Sequence, residues 1–156
     1  MGLKYIAQFN AVAATVQQDL FEIVAPADAV VIVHWVRFSQ STEFGDAAEE
    51  QLSILFKRGA TTSGSGGSTP TPAPVEFGFP AAGSTVEANN TTKATAGTIV
   101  TMLADTWNVR GPYEWLPTPE FQIAISPSQR FTVELATTPA DSITLNGFIC
   151  LEEIGG

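Results

Sequence analysis

The stretch RGATTSGSGGSTPTPAPVEFG, residues 58–78, interrupts a chain that is otherwise rich in β-branched and aromatic residues. As a linker it would divide the chain into two modules. As a loop it would belong to one domain and lie on its surface. An echo on either side of it decides between the two. VAPADAVVIVHWVRF (24–38) and TTPADSITLNGFICL (137–151) share Pro-Ala-Asp at the same offset, each time between an incoming and an outgoing strand. Neither unit is large enough to hold a core alone. Both are therefore expected in one sandwich, with residues 59–80 as a long Gly/Ser/Pro loop leaving it. The first half, TTSGSGGST, has the composition of a mobile coil. The second half, PTPAPVEFGFP, carries four prolines and two phenylalanines, the composition of a stiff, extended and partly buried strap.

Length supports one domain spanning residues 1–156. With 44% hydrophobic and 10% aromatic residues, the chain can bury one good core but hardly two. Seven Lys plus Arg against sixteen Asp plus Glu give a net charge of −9, which repels phosphate backbones and anionic lipid. No nucleic-acid or membrane partner is expected. No window approaches the ~18 apolar residues of a spanning helix, and MGLKYIAQFN lacks the layout of a signal peptide, so synthesis in a cytoplasm is expected. The single cysteine, Cys150, leaves no intrachain disulfide and no cysteine-rich zinc site.

Apolar residues recur at every second position in several stretches, the signature of half-buried strands. FQIAIS aligns Phe121, Ile123 and Ile125, RFTVELA aligns Phe131, Val133 and Leu135, and Pro127-Ser128-Gln129 between them reads as a tight turn. QLSILF presents Leu52, Ile54 and Phe56, and DLFEIV presents Phe21 and Ile23. GTIVTML, 97–103, is a more continuous apolar run, as in a strand buried on both sides. Only DAAEEQ, 46–51, has a helical composition, and it is too short to stand alone. The pattern is all-β, a sandwich or a jelly roll of about eight strands.

Registering the two echo units on each other assigns Val30, Ile32, His34, Val36 and Phe38 to the core, with Ile143, Leu145, Gly147, Ile149 and Leu151. The opposite faces then carry Val31, Val33 and Trp35, and Phe148 and Cys150. A solvated sheet face alternates apolar with polar, so something should cover these. The strap or the N-terminal segment can do so, and so can sister subunits in a closed ring such as a trimer. Val31, Val33, Trp35 and Phe148 are therefore candidate subunit-interface residues. A possible N-terminal arm, 1–9, and the strap offer Tyr5, Ile6, Phe9, Phe77 and Phe79 as candidate contacts with a larger partner.

The residues that carry chemistry are few. His34 is the only histidine and, among apolar neighbours, reads as a structural side chain satisfied by hydrogen bonds. Cys150 reads as a small packed thiol. Glu152 and Glu153 are adjacent in a strand and point to opposite faces, unlike a catalytic carboxylate pair. No P-loop, GxGxxG, GxSxG or HExxH motif occurs. A non-enzyme is expected, with no catalytic residue, no cofactor and no metal. WNVRGPYEWLPTPE, 107–120, is either a turn anchored in the core by its tryptophans or a glycan platform built on Trp107, Tyr113 and Trp115.

Several pieces together resemble small virion proteins of tailed bacteriophages: the Gly/Ser/Thr tract leading into PVEFGFPAA, then WLPTPE, then a Pro-Ala-Asp turn and a last strand closing on LEEIGG. The resemblance, from about residue 50 onward, is to capsid decoration (cement) proteins of the single-jelly-roll type. It implies a jelly roll, commonly a homotrimer, that binds the major capsid protein on the outer capsid surface. There it would bridge capsomers and stabilise the shell against internal DNA pressure. The alternative is a receptor- or carbohydrate-binding knob of a phage fibre. A knob normally follows a shaft, whereas LKYIAQF begins a strand almost at once.

Overall fold

The computed structural model describes residues 2–42 and 49–155. Half of the short helical candidate at 46–51, residues 46–48, falls outside these residues; residues 49–50 form no helix and Gln51 opens a strand. Among the described residues the strands are β1 (Leu3–Ala14), β2 (Gln18–Val24), β3 (Ala29–Gln40), β4 (Gln51–Thr62), β5 (Ala73–Pro74), β6 (Thr85–Asn90), β7 (Thr95–Asn108), β8 (Tyr113–Trp115), β9 (Ile123–Ile125), β10 (Arg130–Leu135) and β11 (Ile143–Gly155). One sheet runs β5-β1-β11-β3, with β8 and β9 both pairing the far side of β3, and the other runs β6-β2-β10-β4-β7. All pairings are antiparallel.

Along the chain, β1, β3, β8/β9 and β11 lie in the first sheet, and β2, β4, β7 and β10 in the second. The orders β1-β11-β3-β8/β9 and β2-β10-β4-β7 are those of a jelly roll. β5 and β6 are additions carried by the long excursion between β4 and β7. The echo acquires a structural meaning here: its incoming strands, β2 and β10, are neighbours in the second sheet, and its outgoing strands, β11 and β3, are neighbours in the first. Each Pro-Ala-Asp lies in the link from one sheet to the other.

The core lies between the sheets. Leu52, Ile54, Phe56, Phe131, Val133, Leu135, Phe21 and Ile23 meet Ile143, Leu145, Ile149 and Leu151 there, as their alternation predicts. The phase of β3 differs from the expected one. Val31 and Val33 are fully buried, as are Val36 and Phe38, while Val30, Ile32, His34 and Trp35 lie on the outer side. The cause is a β-bulge: Val33 pairs Leu151 and Trp35 pairs Cys150, so β3 advances two residues where β11 advances one. One extra residue flips every side chain on one side of it.

Three further expectations are corrected. β7 is an edge strand, not a doubly buried one. Among the described residues it pairs only β4, and Ile99, Val100 and Met102 are each about two-fifths exposed. Phe121 sits in a 3-10 turn and is exposed instead of aligning with Ile123 and Ile125. Residues 3–9 form no free arm, because they lie in β1 between β11 and β5.

The Gly/Ser tract is ordered. Ser65 and Thr92 exchange both backbone hydrogen bonds, as do Ser68 and Ala88, so the tract fastens along β6 before crossing to β5 on the other sheet. Its glycines serve close approach: a Cβ on Gly67 would stand 2.1 Å from the Ala88 carbonyl oxygen. The tract thus straps together the two sheet edges formed by β6 and β5.

Candidate functional site

The outer faces of the two sheets differ sharply. On the second sheet the chain roofs itself with polar groups. Glu22, in β2, accepts hydrogen bonds from Ser63 Oγ (2.7 Å), Gly64 N (2.9 Å) and Asn90 Nδ2 (3.2 Å), and its carboxylate lies 2.6 Å from Arg130 Nε. Glu134 is gripped by Lys57 and Lys93. Burial pushes its carboxyl up, but the two ammonium groups outweigh this and hold it below the usual range. Asp19 accepts from Ala94 N at 2.7 Å. Burial, aided by the charges of Glu134 and Glu22, pushes Asp19 up to about 6 against the opposing Ala94 N–H and Lys93. These buried carboxylates are occupied in holding the strap and the β6–β7 turn.

The outer face of the first sheet is more apolar, and among the described residues Trp35, Phe148 and Cys150 at its centre are half-buried. Register places Ile6, Cys150 and Trp35 in one row across β1, β11 and β3, with Gln8, Phe148 and Arg37 in the next. Trp35 and Phe148 meet edge to face, with ring centroids 4.7 Å apart. The result is a half-buried apolar patch at the middle of the sheet. Burial raises the Cys150 thiol pKa, which suits a packed side chain.

At one end of the patch His34 is fixed from both sides. Its Nε2 lies 2.6 Å from Glu152 Oε2, and Gln122 Nε2 is 2.8 Å from its Nδ1. With the Gln122 amide donating to Nδ1, the ring proton sits on Nε2 and is donated to Glu152. Glu152 Oε1 also accepts from Gly2 N at 2.7 Å. Burial pushes Glu152 up, but these donors and Lys4 hold it below the usual carboxylate range. Glu153 points the other way and accepts from Ser84 N (2.7 Å) and Gly83 N (3.1 Å), pinning the chain that enters β6. His34 is thus hydrogen-bonded as expected, although on the outer face and not in the core. Among the described residues, no group of three or more His, Cys, Asp or Glu is placed to hold a metal ion.

The remaining candidates divide. Tyr5 and Phe9 are buried because β1 alternates, and Tyr5 Oη donates to the Pro80 carbonyl at 3.2 Å. Burial and the Glu153 charge raise the Tyr5 phenol. Of the three candidates in that segment only Ile6 reaches the surface, whereas Phe77 is fully exposed and Phe79 half-buried. Val31 and Val33 are core residues, which leaves Trp35 and Phe148 of the expected subunit interface at the surface.

Trp107 and Tyr113 are also buried. Both pack on Phe38, and Trp115 packs on Phe56. Trp107 Nε1 donates to the Gly111 carbonyl (2.7 Å), and Tyr113 Oη to Asp105 Oδ2 (3.3 Å). Burial first, then Asp105, raises the Tyr113 phenol. The three aromatics therefore anchor a turn and form no open platform.

The sequence reading missed two surfaces. One is the β7 edge. The other is an open cleft of about 520 Å³ between β7 and β9, lined by Val100, Met102, Ile123, Ile125 and Phe131 with Arg58 and Arg130. The only signal available was the apolar run at 97–103, which does not say whether it is covered. No family model, no curated protein and no solved structure matches the chain.

Proposed function

We propose that this chain is a virion structural protein of a tailed bacteriophage: a homotrimeric jelly roll that binds the outer surface of the capsid and stabilises the shell by bridging capsomers. The observation that carries the proposal is the partly exposed apolar patch of Ile6, Trp35, Phe148 and Cys150 on the first sheet. The other outer face is roofed by the chain's own strap, which leaves this one to meet a partner. The patch joins residues expected at two different interfaces, Trp35 and Phe148 with Ile6, into a single surface, and we assign that surface to the major capsid protein. The sequence resemblance supports the same reading. The acidic balance favours a protein partner over nucleic acid, and the virion surface is the corresponding location.

The mechanism is additive contact. A standard interface buries roughly 1,600 Å², and at about 25 cal/mol per Å² even part of that area exceeds thermal energy before association costs. A few kcal/mol net at each of many sites strengthens a shell without any chemistry. The carbohydrate-binding alternative loses the aromatic platform it rested on, because Trp107 and Tyr113 are committed to the core. Co-sedimentation with mature, DNA-free shells tests the proposal. Wild-type protein should pellet with the shells and Trp35→Glu should not. Equal pelleting of both would remove the patch from the interface, and no pelleting of the wild type would refute shell binding.

A further inference from the structure

We infer that copies of this chain join edge to edge, the Glu76–Phe77 turn of one seating in the β7–β9 cleft of the next. This deepens the homotrimer in the proposed function by naming the subunit contact. The two edges of the sandwich are unlike. At one, the strap ties β6 to β5, Val75 N donates to the Lys4 carbonyl, and a turn closes from Phe79 N to the Glu76 carbonyl at 3.3 Å. Gly78 takes the left-handed conformation this turn needs, with φ +96°. The turn is therefore built, and it holds Phe77 at 108% relative exposure, wholly in water. At the opposite edge, β7 and β9 are the outer strands of their sheets and the sandwich stands open between them.

The knob and the hole match in chemistry. The cleft offers apolar surface from Val100, Met102, Ile123, Ile125 and Phe131 beside the polar Thr98, Ser126 and Gln129, in about 520 Å³, within the roughly 300–1,000 Å³ of sites that enclose small organic groups. Arg58 lines it, and its guanidinium makes no hydrogen bond or ion pair among the described residues. Phe77 follows Glu76, so a benzyl group for the walls arrives beside a carboxylate for the arginine. Arg58 also matters for a chain of net charge −9, because opposite charges facing each other offset the repulsion between two copies. A knob on one edge and a hole on the other cannot meet within one molecule. Between molecules they make a head-to-tail contact, which closes into a ring when the rotation allows.

Light scattering behind a sizing column tests this. The wild type should run at about three times the 16.5 kDa of one chain. Phe77→Ser, at a position with no burial to lose, should run as a folded monomer, with self-association weakened about 30-fold or more, as for a hot-spot aromatic. Val100→Lys, at an exposed edge position, should do the same from the other side. An equimolar mixture of the two variants retains one intact knob and one intact hole, and should yield a heterodimer and nothing larger. Glu76→Arg and Arg58→Glu should each weaken the ring, and together restore it. A monomeric wild type, or an unchanged mass for Phe77→Ser, would overturn the inference. So would a Phe77→Ser that keeps its mass but no longer binds shells, which would place Phe77 on the capsid. A ring that forms normally but never binds shells would instead count against the proposed function alone.

Discussion

Replacing Gly67 by alanine separates an ordered strap from a floppy one by the sign of its effect. In a mobile loop, Gly→Ala removes freedom from the unfolded chain and stabilises by about 0.4–1 kcal/mol. Here the added Cβ would stand 2.1 Å from the Ala88 carbonyl oxygen and 2.7 Å from the Asn89 carbonyl carbon. Both neighbours are backbone, so the strap must lift. Lifting it strains the paired hydrogen bonds between Ser68 and Ala88, at 2.8 and 2.9 Å, and the Gly67 N–H to Asn90 Oδ1. At about 0.5–1.5 kcal/mol net for each bond, losing two or three costs about 1–4 kcal/mol. For a chain of this size that lowers Tm by about 2–4 °C per kcal/mol. Gly111→Ala is the control, because a Cβ there meets nothing within 4 Å. Thermal unfolding followed by circular dichroism at one fixed protein concentration should show Gly67→Ala several degrees below wild type and Gly111→Ala at or slightly above it. Gly67→Ala at or above wild type would refute the account of the strap.

Asp19→Asn should change stability in a pH-dependent way. The folded-state value of about 6 lies above the ordinary 3.8, so the native state holds this proton more tightly than the unfolded state. The stability from that proton is fully present below about pH 4 and is lost as pH rises through 6. The variant should therefore gain about 3 kcal/mol on wild type between pH 4 and pH 8 in urea titrations, and a constant difference would contradict the burial argument. Glu152→Gln should behave oppositely: its folded carboxyl is held low, so the variant should be weaker than wild type at pH 7 and converge with it as pH falls through the carboxylate range. Trp107→Ala should cost about 3–5 kcal/mol, as for a buried large aromatic, whereas a stably folded variant that lost binding on a glycan array would restore the platform reading. Phe148→Glu should abolish shell binding while leaving the ring intact, read by co-sedimentation and light scattering side by side.

Strands with clean alternation were legible, because one polar and one apolar face determine phase. Leu52-Ile54-Phe56 and Phe131-Val133-Leu135 face the core as their spacing predicts. The Pro-Ala-Asp echo was legible as well, and it marks two neighbouring crossovers between the sheets. In VVIVHWVRF alternation had nothing to act on. Every residue from Val30 to Val33 is apolar, so the bulge before Trp35 leaves no trace in composition, and Val31 and Val33 were placed on the wrong face. The Gly/Ser tract misled for a related reason: glycine chosen so that backbones can touch looks the same as glycine chosen for freedom. The apolar run of β7 indicated a strand but not its neighbours. That is why the open cleft, and with it the candidate subunit contact, emerged only from the fold.

The most direct test of the central claim is the temperature at which particles release DNA. Particles stripped of this protein should lose their genome at a lower temperature than decorated ones, and adding back purified wild-type protein, but not Trp35→Glu, should restore the higher temperature. Stripped and decorated particles that release DNA at the same temperature would contradict the account.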